Sequence, residues 1–84
     1  MSDRTQDRIK QIIVEHLFLE IKPEEIGDDQ DLLAFVENDS VRLFEIVVGL
    51  EEAYEITFAD KEFSVKKFST VNGITAVVNA KLGK

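Results

Sequence analysis

The run Asn38-Asp39-Ser40-Val41-Arg42-Leu43-Phe44-Glu45-Ile46-Val47-Val48-Gly49-Leu50-Glu51-Glu52-Ala53-Tyr54 is the most informative part of the chain. Asp39 or Ser40 can accept from exposed backbone N–H groups, so the run predicts a helix over about 40–54. At about 100° per residue, Leu43, Ile46, Val47, Leu50 and Tyr54 share one arc and form a core face. On the opposite side Val41, Phe44 and Val48 make a second, narrower stripe bordered by Glu45, Glu51, Glu52 and Glu55. Two readings of that stripe stand side by side. It docks a partner by apolar contact while the carboxylates orient it, or the bundle surrounds this helix and Phe44 and Val48 are core. Gly49, without a side chain, admits a neighbouring backbone in either case.

Working outward, Ile9, Ile12, Ile13, Leu17 and Leu19 recur at helical spacing, which predicts a first helix over about 3–19 with Asp3 and Asp7 near its positive end. His16 falls on that stripe as an edge histidine. It is the only His and the chain has no Cys, so it lacks the companions a metal ligand needs. Val14 and Phe18 lie off the stripe and are expected to pack under the following loop. That loop, about 20–39, is long for so small a domain and is expected to be pinned by Ile26, Leu32, Leu33 and Phe35. Its Asp28-Asp29-Gln30-Asp31 cluster lacks the glycine and glutamate spacing of a calcium-binding EF-hand loop. Beyond Tyr54 a short helix is predicted over about 60–66. Thr70 reads as the N-cap of a last helix through Leu82, with Val71, Ile74, Val78 and Leu82 on one side. The expected fold is an all-α, small four-helix bundle: three main helices, one short one and a long first loop, in a single domain of residues 1–84. Most of the six phenylalanines should be core, since a chain this short needs large apolar side chains to be stable.

Composition narrows the function. Seventeen acidic against ten basic residues leave a net charge of −7, which opposes binding to nucleic acid or to anionic membrane surfaces. The charge is uneven: residues 1–38 carry −6, residues 39–62 carry −5, and residues 63–84 carry +4 from Lys66, Lys67, Lys81 and Lys84. These four lysines are too sparse for a nucleic-acid footprint and read as a solvated tail. Thiol catalysis and thiolate metal sites are excluded by the absence of cysteine. With no secretory h-region and no apolar run long enough to span a bilayer, a soluble cytoplasmic protein is expected. Ser40 has two readings of its own. It is a helix cap, or its hydroxyl accepts a phosphoryl-linked group at a helix start that favours anions. A serine-histidine-aspartate relay is not supported, and no catalytic residue is assigned.

The framed segment resembles the acyl carrier protein family, in which an Asp-Ser-Leu motif opens the second helix, a Glu follows five residues after the serine, and Leu-Glu-Glu-x-aromatic closes it. Here the matching residues are Asp39-Ser40-Val41, Glu45 and Leu50-Glu51-Glu52-Ala53-Tyr54. The likeness reaches Arg8-Ile9-Lys10-Gln11-Ile12-Ile13 and Thr70-Val71, and so covers most of the chain. The resemblance implies a carrier fold with 4'-phosphopantetheine, taken from coenzyme A, joined to Ser40 by a phosphopantetheinyl transferase. Substrates would ride as thioesters on the arm's thiol. Asp39 would serve transferase recognition. Val41, Arg42, Phe44, Glu45, Val48, Glu51 and Glu52 would dock partners: an acyl-loading ligase or acyltransferase, and a ketosynthase or other acyl-processing enzyme of fatty acid, polyketide or related metabolism. The carrier itself is expected to be monomeric and no enzyme. An aminoacyl or peptidyl carrier, or an unmodified interaction module of the same fold, are the alternatives. Val41 replaces the family's usual Leu, Arg42 stands where an acidic or small polar residue is common, and Glu37-Asn38 replace a Gly-Ala-like pair. These departures point to a specialised carrier in which Arg42 tunes partner choice.

Overall fold

The computed structural model describes residues 5–37 and 39–83, with the side chains of Ser40 and Asp60 outside the description. Four α-helices follow one another: α1 Thr5–His16, α2 Leu43–Tyr54, α3 Val65–Phe68 and α4 Val71–Leu82. Short 3-10 turns stand between them at Pro23–Glu25, Leu32–Val36, Ser40–Arg42 and Asp60–Glu62. The fold is the expected all-α bundle, with no strand among the described residues. The one core is built from Ile9, Ile12 and Ile13 of α1, Leu43, Ile46, Val47 and Leu50 of α2, and Val71, Ile74 and Val78 of α4, closed by Phe68 and Phe58. Each such side chain, fully buried, contributes roughly 1.5–3 kcal/mol, which a domain with a small core cannot spare.

α1 is shorter than the periodicity predicts. It ends at His16, and residues 3 and 4 of the expected helix lie outside the described residues. The apolar pattern outlives the helix because Leu17, 2% exposed, and Leu19, partly buried, still pack on the core from a non-helical backbone. Leu17 N–H donates to Ile13 O at 3.0 Å and Leu19 N–H to Val14 O at 3.1 Å, closing the helix end. Between them Phe18 adopts φ 55°, the left-handed conformation. A bulky residue there is strained by the order of 1–3 kcal/mol. Its ring does not pack under the loop as expected: Phe18 is 86% exposed.

The long first loop is pinned more widely than predicted. Ile26 and Leu32 are buried and Leu33 and Phe35 partly so, but Val36, not among the expected anchors, is also buried. The acidic cluster has structural partners. Asp28 Oδ1 lies 2.8 Å from the largely buried Lys10 Nζ, Asp28 O accepts from Asn72 N–H at 3.0 Å, and Asp29 Oδ1 accepts from Asn72 Nδ2 at 2.7 Å. Leu32 N–H donates to Ser69 O at 2.7 Å, so the loop is stitched to the start of α4. α4 begins where Thr70 predicts, with its hydroxyl oxygen accepting from Gly73 N–H at 3.0 Å.

The helix expected over 60–66 is instead two pieces, the turn at Asp60–Glu62 and the single-turn α3. Ser64 separates them by accepting from Lys67 N–H through its side chain, which restarts the helix at Val65. Lys66, Lys67 and Lys81 are exposed, as a solvated set would be, but Lys81 also has partners: its ammonium sits 2.8 Å from Glu62 Oε1 and 5.6 Å from the centroid of the Phe58 ring. Lys84 lies outside the described residues.

Candidate functional site

The start of α2 is built from local bonds. Asp39 Oδ1 accepts from Val41 N–H at 3.0 Å and Asp39 O accepts from Arg42 N–H at 3.1 Å. These two bonds wind residues 40–42 into a 3-10 turn that runs straight into α2. Asp39 N–H donates back to Val36 O at 2.9 Å, anchoring the turn on a buried residue. Residue 40 thus opens a helical stretch, flanked by the exposed Asp39 and by Val41 at 67% exposure. A helix start favours an anion, and the residues on either side of position 40 are exposed.

The two faces of α2 separate as the spacing predicts. Leu43, Ile46, Val47 and Leu50 are buried, and Tyr54 is partly buried. Partial burial raises the Tyr54 hydroxyl above its usual pKa, with the Arg8 charge opposing the rise. On the opposite face Val41, Phe44 and Val48 are 67%, 46% and 50% exposed. The second stripe is therefore a surface, although Phe44 also stacks on Phe63 with centroids 4.2 Å apart. Phe63 stacks in turn on the buried Phe68 at 5.3 Å, and Phe68 meets Phe58 edge to face at 5.7 Å. Gly49 serves a side chain and not a backbone: a Cβ there would lie 2.6 Å from the His16 ring and 2.8 Å from Ile12.

The charged residues predicted to border the site divide. Glu45 and Glu52 are exposed beside the apolar stripe. Glu51 is partly buried and accepts from Phe58 N–H at 2.8 Å, which ties the chain after α2 back onto the helix. Arg42 is also partly buried, and its Nη2 donates to Leu17 O at 3.2 Å. Its guanidinium, read from sequence as a charge offered to partners, is a tie between the start of α2 and the corner after α1. Nothing local in the sequence signals this bond, which spans 25 residues. Sequence reasoning also missed the apolar groove at that corner, lined by Glu15, His16, Phe18, Glu45 and Val48. Its one available signal was the off-stripe position of Phe18.

Among the described residues no helix is long and apolar enough to cross a membrane, and no three or more His, Asp or Glu residues are grouped to hold a metal ion.

Residues 7–78 match the protein family described as a phosphopantetheine attachment site. The acyl carrier protein of Zymomonas mobilis subsp. mobilis is 34% identical over 79 residues, covering 94% of this chain and 95% of that protein. The acyl carrier protein of Wolinella succinogenes is 31% identical over 72 residues, 86% of this chain and 90% of that protein. That of Buchnera aphidicola subsp. Acyrthosiphon pisum (strain 5A) is 35% identical over 80 residues, with 94% and 95% covered. A cysteine-free chain has no thiol of its own for thioester chemistry, and an exposed helix start suits a phosphate-linked group that brings one. The chain belongs to the acyl carrier protein family and is a carrier of acyl groups on covalently bound 4'-phosphopantetheine.

Proposed function

We propose that Ser40 is the attachment residue and that the chain is a specialised acyl carrier, a shuttle and not a catalyst. The observation that carries this reading is the Asp39-Ser40 start of α2, fixed by the Asp39–Val41 bond and flanked by exposed residues. In the loading step Ser40 Oγ forms a new bond to the phosphorus of coenzyme A that bears the pantetheine. The diphosphate P–O bond breaks, 3',5'-ADP leaves, and the hydroxyl proton passes to a base of the transferase. The attached arm supplies a terminal thiol on which acyl groups are held as thioesters.

Around the attachment point Asp39 fixes the turn and faces the transferase. Val41, Phe44 and Val48 give partners an apolar contact, and Glu45 and Glu52 steer basic surfaces toward it. Glu51 supports this face from behind through Phe58 N–H. Partners are then the phosphopantetheinyl transferase, an acyl-loading ligase or acyltransferase, and ketosynthase-type enzymes in the cytoplasm. A small docking area with long-range charge steering suits a carrier that must arrive and leave repeatedly. Specialisation is supported by Arg42, which shapes the docking face by holding the α1 corner beside it.

Intact mass after incubation with coenzyme A, magnesium and a broad-specificity phosphopantetheinyl transferase tests the reading. Wild type is expected to gain one phosphopantetheine group, and Ser40→Ala none. Folded wild type that gains nothing, with its native transferase as well, would leave an unmodified interaction module.

A further inference from the structure

Phe18 occupies the left-handed turn that closes α1 and lets Leu17 and Leu19 reach the core, and that turn leaves its own ring in solvent. Its backbone is left-handed at φ 55°, a conformation that favours glycine. Its ring is 86% exposed, more than any other large apolar side chain among the described residues, while Leu17 and Leu19 on either side pack against the core. A large aromatic ring left in solvent beside an apolar groove is what a recognition anchor looks like before its partner arrives.

The place of Phe18 indicates the partner. The Arg42–Leu17 bond holds this corner against the start of α2, two residues past Ser40. An enzyme that joins a group to residue 40 has to bring its active site into bonding contact there, and so covers the corner. Enzymes acting at the far end of the arm have no such requirement. The groove is lined by Phe18 itself, by Val48, which is 50% exposed, and by His16, Glu15 and Glu45, so its ionisable lining carries two carboxylates. Its complement is an apolar socket rimmed by lysine or arginine.

We propose that Phe18, with Val48 beside it and Glu15 and Glu45 at the rim, is an anchor that seats the phosphopantetheinyl transferase over residue 40. The inference rests on Ser40 being the attachment residue. It makes Phe18 a specificity-determining residue for loading, on the corner after α1 and outside the helix start that bears the site.

Steady-state kinetics of a broad-specificity phosphopantetheinyl transferase, with the full chain as varied substrate, test it. Phe18→Gly keeps the left-handed backbone without strain and is expected to raise KM about tenfold with kcat within about twofold. Phe18→Leu should restore most of the loss, and Glu15→Lys should raise KM and weaken its salt dependence. Val65→Ala, an exposed apolar change elsewhere, should leave both constants unchanged. An unchanged KM in Phe18→Gly overturns the anchor, as does a KM rise that Phe18→Leu fails to reverse. So does a shift of the Phe18 ring signals in NMR when the arm is attached and no enzyme is present, which would make the arm the occupant. Loading of wild type but not of Ser40→Ala establishes the underlying reading whatever Phe18 does, and folded wild type that is never loaded overturns both.

Discussion

The starts of α2 and α4 use the same device to opposite ends. Each is opened by a side-chain oxygen that accepts from a backbone N–H two or three residues on, Asp39 for Val41 and Thr70 for Gly73. The α4 start is then closed in. Val71 is fully buried, Asn72 is bonded through backbone and side chain to Asp28 and Asp29, and a Cβ on Gly73 would strike the Lys67 carbonyl oxygen. The α2 start is left presented, with Val41 67% exposed and Asp39 in solvent. Capping alone therefore does not distinguish a helix end that is closed in from one that is presented to solvent. What surrounds the cap does.

Four measurements break or sharpen that contrast. Gly73→Ala has the largest expected effect. Its Cβ meets backbone, which cannot step aside, and the overpacking should remove about 3 kcal/mol and lower Tm by more than about 10 °C, read by thermal melting. Next come the two caps compared directly. Thr70→Ala should cost about 1 kcal/mol in denaturant unfolding and leave transferase loading of the folded protein intact, whereas Asp39→Ala should cost no more in stability and slow loading severely. If both variants load normally, the proposed role of Asp39 is wrong. Third, Phe18→Gly should raise stability by about 0.5–1 kcal/mol by relieving the left-handed strain, while impairing loading as argued above. The smallest effect lies in the ion pair beside α4. Lys81 and the Ala59 N–H both donate to Glu62 and hold its carboxyl below the usual glutamate range. Because the folded value is depressed, the contribution is present above the unfolded glutamate value of about 4.3 and is lost as pH falls through the lower folded value. An NMR carboxyl titration should place Glu62 below the exposed glutamates, and Lys81→Met should move it up toward them.

The legible parts of the molecule were those fixed by neighbours in sequence. The core face of α2 follows from its spacing, and the α4 start follows from Thr70. Asp39-Ser40 could be read as a helix start from its own residues, and the family match over residues 7–78 carries the same segment. Illegible were the features set by contacts far along the chain. Arg42 finds Leu17, Lys81 finds Glu62, and Val36 is buried beneath the site, none of which a local pattern encodes. The end of α1 is not marked in the pattern, because Leu17 satisfies a helical spacing while standing outside the helix. Exposure of Phe18 is not visible in the pattern, because an apolar side chain off the main stripe is more often sheltered by a neighbouring loop, and the left-handed turn that exposes it is not encoded by spacing.

The line of rings stacked from Phe44 through Phe63 to Phe68, and ending edge to face on Phe58, bears on engineering. A designer who alters Phe44 to redirect the carrier toward another enzyme also loosens Phe63, and through it a ring at the centre of the bundle. Specificity and thermal tolerance are coupled along that line, and substitutions at Phe44 and Phe63 should prove non-additive in a double-mutant cycle. Phe18 leans on no such ladder. The anchor proposed at the corner after α1 could accordingly be altered with little disturbance to the packed rings.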